Sequence, residues 1–285
     1  MKVVYSSRYE ISLPGHIWPT SKYRLIADRL RVDPSYVFVE PSPASWDDLA
    51  LVHTPEYLAK LRDNTLTPDE IATLELPWAP PLWDGFRLMV GGTIAAAAAA
   101  LEDGVAAHVG GGLHHAFANH GEGFCPLNDV AVAVRALGRR AAIVDLDVHH
   151  GNGTAMIFEG DASVFTFSMH QQHNYPLFKP RGDLDIGLED GIGDARYLAL
   201  LRDALPRVMA HDPEVVFYLA GADPFERDRL GGLTLTKDGL RERDRLVIAA
   251  ARGAAVPLVT VLAGGYAADV QDTVDIHCQT IAAMQ

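Results

Sequence analysis

The stretch DLDVHHGNGT, residues 145–154, follows the apolar run 141–144 and decides how the rest of the chain is interpreted. In an extended strand, side chains two residues apart share a face, so Asp145, Asp147 and His149 are expected to point the same way. Two carboxylates and an imidazole at a buried strand end are costly unless cations or a metal ion lie between them. Carboxylate oxygen and imidazole nitrogen together suit zinc. The alternative is a strand end with solvated acids beside structural histidines.

The composition describes a chain that can bury a large core. It has 285 residues, 48% of them hydrophobic, and residues 1–285 are expected to form a single catalytic domain. Two cysteines, Cys125 and Cys278, cannot build a disulfide framework, and no secretion signal is recognisable, which predicts a reduced, cytoplasmic protein.

The formal charge of −13 argues against nucleic acid as a direct partner and favours cationic substrates. The apolar run 94–101 is shorter than the ~20 residues that span a bilayer, which predicts a helix and no membrane anchor.

Apolar runs and helical stretches alternate along the second half of the chain. Each apolar run leads directly into glycine or polar residues, and the runs are 141–144, 163–167, 215–220 and 257–263. Helical periodicity marks the segments 130–137, 196–209 and 237–252. This order predicts an α/β protein whose mostly parallel sheet is covered on both faces and binds ligands beyond the carboxyl ends of its strands.

Two loops are predicted to lie at the mouth of such a site. Residues 12–20 contain prolines, a glycine and Trp18, a composition typical of a rim. Residues 76–83, LPWAPPLW, are too rich in proline for a helix or a central strand, which predicts an exposed aromatic loop. The alternative is that Trp78 and Trp83 only pack this loop down.

Five segments whose side chains could bind a metal or take part in a reaction are expected to converge at the sheet edge. They are GGGLHHA (110–116), GFCPLND (123–129), the stretch 145–154, AGADPFERDRLGG (220–232) and AGGY (263–266). With these motifs in this order, the chain resembles the zinc-dependent histone deacetylases of the arginase/deacetylase fold. Residues 228–232 and HTPEYL (53–58) resemble in particular the class IV branch and its bacterial relatives. The resemblance implies a single-domain, three-layer α/β/α fold with a central, mostly parallel eight-stranded sheet.

The resemblance implies one catalytic zinc ion held by Asp147, His149 and Asp223, with room for water and a substrate carbonyl. The residues alone favour the same three, because Asp147 and His149 are expected on one strand face and Asp223 follows the next strong apolar run. Asp228 is more simply a surface or helix-start residue. The resemblance also implies a structural potassium ion bound mostly by backbone oxygens, near Asp145, Asp147, His149 and Ser168.

The adjacent His114 and His115 resemble the paired histidines of the family. The resemblance assigns proton transfer chiefly to His115 and an orienting role to His114, and it pairs His114 with Asp145 and His115 with Asn152. Asn152 stands where some branches have a second aspartate. A neutral partner orients the ring without raising its basicity, so His115 is expected to be a weaker base. Without the family, one buried and one exposed histidine is an equally good interpretation.

Tyr266 follows two glycines and matches the end of the family's glycine-glycine-tyrosine motif. Its hydroxyl is expected to polarise the substrate carbonyl and stabilise the developing oxyanion. Gly265 is placed in the substrate-binding set beside it. Ala263 stands where the family often has one more glycine.

Aromatic side chains are expected to enclose the substrate. Phe124, with its neighbour Gly123, and Tyr175 resemble the two walls of the family's narrow acyl-lysine tunnel, where aromatic faces suit a flat amide and an aliphatic stem. Phe178 is the rival of Tyr175 for the second wall. The small thiol of Cys125 is expected to be buried.

The predicted reaction is hydrolysis of the amide of N-ε-acyl-lysine, with acetyl or a longer acyl group, by metal-activated water and without a covalent acyl-enzyme. The alternative substrates are acetylpolyamines or other small acylated amines; the chain lacks a long inserted loop of the polyamine-type relatives. A dinuclear, arginase-like manganese hydrolase fits less well, because two histidines and a terminal tyrosine suit one metal ion. A non-catalytic acyl-lysine binder would lack a ligand, His115 or Tyr266, and the chain has all of them.

Overall fold

The computed structural model describes all 285 residues and contains one eight-stranded sheet. The strands are β1 (Lys2–Val4), β2 (Val37–Val39), β3 (Val105–His108), β4 (Ala141–Asp145), β5 (Val164–Gln171), β6 (Leu184–Leu188), β7 (Val215–Leu219) and β8 (Leu258–Val261). Their order across the sheet is β2-β1-β3-β8-β7-β4-β5-β6, and every neighbouring pair is parallel. The prediction of a mostly parallel sheet of eight strands is confirmed.

Helices cover both faces of the sheet. They are α1 (Ser21–Leu30), α2 (Trp46–Ala50), α3 (Pro55–Arg62), α4 (Pro68–Leu74), α5 (Pro80–Asp103), α6 (Asp129–Leu137), α7 (Asn152–Ile157), α8 (Asp194–Met209), α9 (Lys237–Gly253) and α10 (Val270–Ala283), with a 3-10 turn at Ser7–Tyr9. Alternate residues of β4 enter two cores. Ala142 and Val144 pack with apolar residues of α1, α8, α9 and α10, whereas Ala141 and Ile143 pack with α5 and α6. This alternation produces the three-layer α/β/α arrangement.

The prediction of an exposed loop at residues 76–83 is wrong. Trp78 and Trp83 are only 7% and 9% exposed, and the Trp78 ring nitrogen donates to the Leu61 carbonyl at 3.1 Å. Pro80 and Pro81 occupy the first turn of α5. Proline is tolerated there because the first helical N–H groups have no partner within the helix. The proline-rich pattern therefore marks a helix start.

Helix α5 has 24 residues and is the one helix long and apolar enough to cross a membrane by length and composition. However, 67% of its apolar window is buried inside the protein. Its alanine-rich part packs against the sheet and α6 in the smaller core. It therefore has the packing of a core helix.

The carboxyl ends of five neighbouring strands place the predicted segments at one sheet edge. β3, β8, β7, β4 and β5 are successive neighbours, and in a parallel sheet their carboxyl ends lie together. They are followed in the chain by His114, Tyr266, Asp223, Asp147 and Tyr175, respectively. The fold therefore gathers these side chains although they are distant in sequence.

The prediction that Asp145, Asp147 and His149 continue one extended strand is wrong, because β4 ends at Asp145. Asp145 Oδ1 accepts a hydrogen bond from the Asp147 N–H at 3.1 Å, and Asp147 Oδ1 accepts one from the His149 N–H at 2.9 Å. A carboxylate that accepts from the N–H two residues on is the pattern by which aspartate turns a chain. Successive turns, not strand periodicity, position Asp147 and His149.

A buried ion pair joins the loops after β4 and β7. Arg243 on α9 has no exposed surface, and its Nη1 donates to the carbonyls of Gly221, at 2.5 Å, and Leu146, at 3.4 Å. Its Nε and Nη2 donate to Asp244 Oδ1 at 3.0 and 2.8 Å. A buried cation that satisfies two carbonyls and a carboxylate holds the two loops in register.

Arg243→Met is expected to lower the free energy of unfolding by about 3–5 kcal/mol, because it leaves the buried Asp244 carboxylate without its cation and two buried carbonyls without this donor. Urea unfolding followed by circular dichroism would measure the loss. Arg241→Met is the matched control on the same helix; its exposed pair with Asp238 is worth at most about 1 kcal/mol. Equal losses in the two variants would contradict the role of Arg243.

Candidate active site

A cavity of about 170 Å³ lies beyond these strand ends. The predicted site residues that line it are His114, His115, Gly123, Phe124, Asp147, His149, Tyr175 and Tyr266. Four other predicted residues, Asp145, Asn152, Ser168 and Asp223, are buried outside the lining. Gly265 does not line the cavity, and a Cβ atom on it would lie 2.8 Å from Thr273 Cγ2, whereas Gly264 does line the cavity. The role of Gly265 in substrate binding therefore stays a prediction.

Asp147, His149 and Asp223 form a compact buried group. His149 Nδ1 lies 3.0 Å from Asp147 Oδ1 and 3.4 Å from Asp223 Oδ2, and one ligand atom of each residue lies within 4.8 Å of the others. Asp223 Oδ2 is buried without a hydrogen-bond partner. Burial and the negative charge of Asp147 raise the pKa of Asp223 to about 7, so the protein's own groups compensate the Asp223 carboxylate poorly. The donor set and the unpartnered oxygen fit a divalent cation such as zinc.

The remaining oxygens of the two carboxylates are fixed by backbone donors. Asp223 Oδ1 accepts from the Val148 N–H at 2.9 Å, and Asp147 Oδ2 accepts from the Gly264 N–H at 2.7 Å. A Cβ atom on Gly264 would lie 1.9 Å from Asp223 Oδ2. Only glycine therefore lets the backbone approach both carboxylates, which explains one of the two glycines before Tyr266.

The two adjacent histidines face each other at the base of the cavity. His114 Nδ1 lies 2.7 Å from Asp145 Oδ2, His115 Nδ1 lies 2.7 Å from Asn152 Oδ1, and the two Nε2 atoms are 3.1 Å apart. Burial disfavours the charged form of His114, but Asp145 and Asp147 outweigh burial and raise its pKa to about 9. Burial and the charges of His114 and His149 lower the pKa of His115 well below its usual range. His115 is therefore the neutral ring of the pair.

Aromatic rings enclose the cavity. The Tyr175 ring stands perpendicular to the His115 ring with centroids 4.9 Å apart, and Phe124 stacks on Trp18 at 6.3 Å. Phe178, the rival for the second wall, is 65% exposed and does not line the cavity. Phe124 has a left-handed backbone conformation, φ 69°, which is rare for a bulky residue and is retained where the surrounding structure enforces it.

The expectation that Asp228 is a surface or helix-start residue is wrong. Its side chain accepts backbone hydrogen bonds from Tyr266 at 2.6 Å, Leu230 at 2.8 Å and Gly231 at 3.2 Å. It therefore fixes the backbone that carries the tyrosine. Ala263, three residues earlier, has φ 55°, a left-handed conformation that favours glycine and gives a physical reason for the glycine common there in the family.

The sequence interpretation missed Lys22 altogether. Lys22 on α1 is fully buried, its Nζ donates to the Ala263 carbonyl at 3.0 Å, and it lies 5.6 Å from the centre of the Tyr266 ring. The available signal was its position, because Lys22, Ile26 and Leu30 follow each other at four-residue intervals on the buried face of the helix. A lysine on an apolar helix face is unusual enough to be noticed.

Comparison with known proteins identifies the family of this chain. The histone deacetylase domain family matches residues 16–281. Histone deacetylase 2 of Arabidopsis thaliana is 34% identical over 288 residues, which cover 93% of this chain and 74% of that protein. The chain belongs to the histone deacetylase family. An uncharacterized protein of Picosynechococcus sp. is 43% identical over 287 residues, 96% of this chain and 95% of that protein.

A comparison of this fold with a solved structure agrees with the assignment to the histone deacetylase family. The crystal structure of the HDA15 HD domain superimposes with a TM-score of 0.82 at 24% identity, covering 100% of this chain and 90% of that one. This likeness establishes the arginase/deacetylase fold. As a member of the histone deacetylase family, the chain is a deacetylase, and its substrate carries an acyl group.

Proposed function

We propose that the protein hydrolyses the amide of N-ε-acyl-lysine with one zinc ion held by Asp147, His149 and Asp223. The observation that carries this proposal is the unpartnered Asp223 Oδ2 beside Asp147 and His149, at a cavity that the histidine pair and Tyr266 also line. When bound, zinc supplies Lewis-acid polarisation of the substrate carbonyl and lowers the pKa of water.

The chain's own residues would bind the substrate and move its protons. Phe124 and Tyr175 flank the aliphatic stem, and their faces suit the flat amide. The neutral His115 accepts a proton from the attacking water at Nε2 and later delivers it to the leaving amine. His114, held by Asp145, keeps its charge beside that nitrogen and orients the water. The Tyr266 hydroxyl donates a hydrogen bond to the oxyanion.

The proposal includes the potassium ion that the resemblance implies. Asp145 and Ser168 are direct neighbours in the register of β4 and β5, and both line a small cavity of about 10 Å³. That volume accommodates one water-sized species. The proposal also retains a cytoplasmic location and the class IV branch, with neither nucleic acid nor membrane as a partner.

A small acylated amine is the second candidate substrate. Glu75 is an exposed acid in the lining of the cavity, and the chain carries a formal charge of −13. Both favour a cationic group near the entrance, through the long-range field and direct attraction. A free polyamine satisfies this as well as a lysine-rich peptide does.

Purified protein is expected to contain about one zinc per chain and to release a fluorophore from acyl-lysine peptides in a reaction that a chelator abolishes. The assay would compare acetyl-, trifluoroacetyl- and long-chain acyl-lysine peptides with acetylated polyamines, and added zinc should restore activity after chelation. Turnover of polyamines alone would replace the first candidate by the second. Bound zinc without turnover of any substrate would contradict both and favour a non-catalytic binder.

A further inference from the structure

We propose that Glu122 is a positioning residue that sets the orientation of Asn152 and thereby keeps the proton-accepting Nε2 nitrogen of His115 unprotonated. Glu122 immediately precedes the GFCPLND segment. The catalytic part of this inference rests on the proposed hydrolysis, whereas the orientation of the side chains does not.

Glu122 lies behind the histidine pair and joins it to one cavity wall. Its Oε2 accepts from Asn152 Nδ2 at 2.8 Å and from the Tyr175 hydroxyl at 3.4 Å, and its Oε1 lies 3.2 Å from His120 Nε2. Asn152 is fully buried, and the Glu122 side chain is 21% exposed. One carboxylate thus contacts both the partner of His115 and the aromatic ring beside it.

The direction of these hydrogen bonds follows from the groups involved. An ionised carboxylate only accepts, so Asn152 must turn its NH₂ group to Glu122 and its oxygen to His115. His115 Nδ1, 2.7 Å from that oxygen, must then donate. A neutral imidazole carries one N–H, so its Nε2 is left without a proton and can accept one.

Without Glu122, Asn152 would lose the acceptor of its NH₂ group, and only the charged His114, whose Nε2 is 3.1 Å from His115 Nε2, would still favour this orientation. The two ends of an amide are similar in shape, and its hydrogen-bond partners decide which way it faces. A reversed Asn152 would donate to His115 Nδ1, and the imidazole proton would move to Nε2. In that tautomer Nε2 cannot accept a proton from water. The hydrogen bond from His120 lowers the pKa of Glu122, so the carboxylate is ionised near neutral pH.

Glu122 also changes how strongly Asn152 can act on His115. A neutral partner alone supplies orientation without charge, but here a carboxylate stands one hydrogen bond further out. Hydrogen-bonded chains polarise one another inside a protein, so the Asn152 oxygen facing His115 becomes a stronger acceptor. Supporting contacts of this kind typically change activity by about 10–100-fold.

The test combines kinetics with a direct readout of the tautomer, on zinc-loaded protein. Glu122→Ala is expected to lower kcat on an acetyl-lysine peptide by about 10–100-fold with a smaller change in KM. Glu122→Gln, whose amide oxygen can still accept from Asn152, should recover most of kcat. The double variant Glu122→Ala/Asn152→Ala should be no worse than Asn152→Ala alone, since both remove one interaction. Glu189→Ala is the control, because Glu189 makes only an exposed pair with His173.

Nitrogen-15 NMR of labelled histidine distinguishes the two tautomers and does not require turnover. The parent is expected to hold His115 with the proton on Nδ1, and Glu122→Ala should shift it towards a mixture. An unchanged tautomer, an unchanged kcat, a Glu122→Gln variant as slow as Glu122→Ala, or additive effects of the two alanine substitutions would each overturn the proposal. A parent without turnover whose tautomer still depends on Glu122 would overturn the proposed hydrolysis and leave the positioning role standing.

Discussion

Tyr266→Phe is expected to lower kcat on an acyl-lysine peptide by about 100-fold or more while zinc stays bound. The change removes only the hydroxyl, and the ring keeps its edge contact with Phe124 at a centroid distance of 6.1 Å. The backbone N–H of Tyr266 is held by Asp228, so the residue stays in place. A donor in a water-poor cavity contributes more to oxyanion stabilisation than it would in bulk water.

Steady-state kinetics with zinc content measured on the same samples would test this expectation. Tyr197→Phe is the matched control, because the Tyr197 hydroxyl is buried without a hydrogen-bond partner and Tyr197 does not line the cavity. Its kcat should equal that of the parent. If Tyr266→Phe also retained the parent kcat with full zinc, Tyr266 would have no part in oxyanion stabilisation.

The central strands could be predicted because the whole of each is buried. β4 and β7 have no exposed residue, so they appear in the sequence as uninterrupted apolar runs. β6 escaped prediction because it is an edge strand whose three middle residues, Asp185, Ile186 and Gly187, are at least partly exposed and include two poor strand formers. Helix α4 was missed although Thr67 and Glu70 form a capping box, a local signal of a helix start.

The candidate site could be predicted where chemistry is encoded in short motifs. Asp147, His149 and the adjacent His114 and His115 are unusual residues at the ends of apolar runs, and the sheet necessarily brings such ends together. The contact between Glu122 and Asn152 is different, because it joins a loop to the first residue of α7, 30 positions further along the chain. No periodicity or spacing specifies which acid will lie behind that asparagine; side-chain packing in the folded protein does.

Asp223→Asn is expected to weaken zinc binding by at least about 100-fold, the upper end of what loss of a supporting contact causes. An amide of the same shape can still accept from the Val148 N–H, so the loop retains its hydrogen bond. What it loses is the charge on an oxygen that accepts no hydrogen bond and has only His149 Nδ1 near it, at 3.4 Å. Burial and Asp147 raise the pKa of Asp223 to about 7, so removing this poorly compensated charge should leave the zinc-free protein about as stable as the parent.

Thermal unfolding with and without zinc separates this role from a structural one. A free zinc concentration of 100 times the parent Kd stabilises the parent by about 2.7 kcal/mol, whereas Asp223→Asn, which binds at least about 100-fold more weakly, gains at most about 0.4 kcal/mol. The parent Tm should therefore rise clearly on zinc addition and that of Asp223→Asn only slightly. Asp228→Asn is the matched control. Its carboxylate accepts three backbone N–H groups, so this variant should begin with a lower Tm yet show the full rise with zinc. A full rise in Asp223→Asn would remove Asp223 from the ligand set, whereas loss of the rise in Asp228→Asn alone would move the metal site towards Asp228.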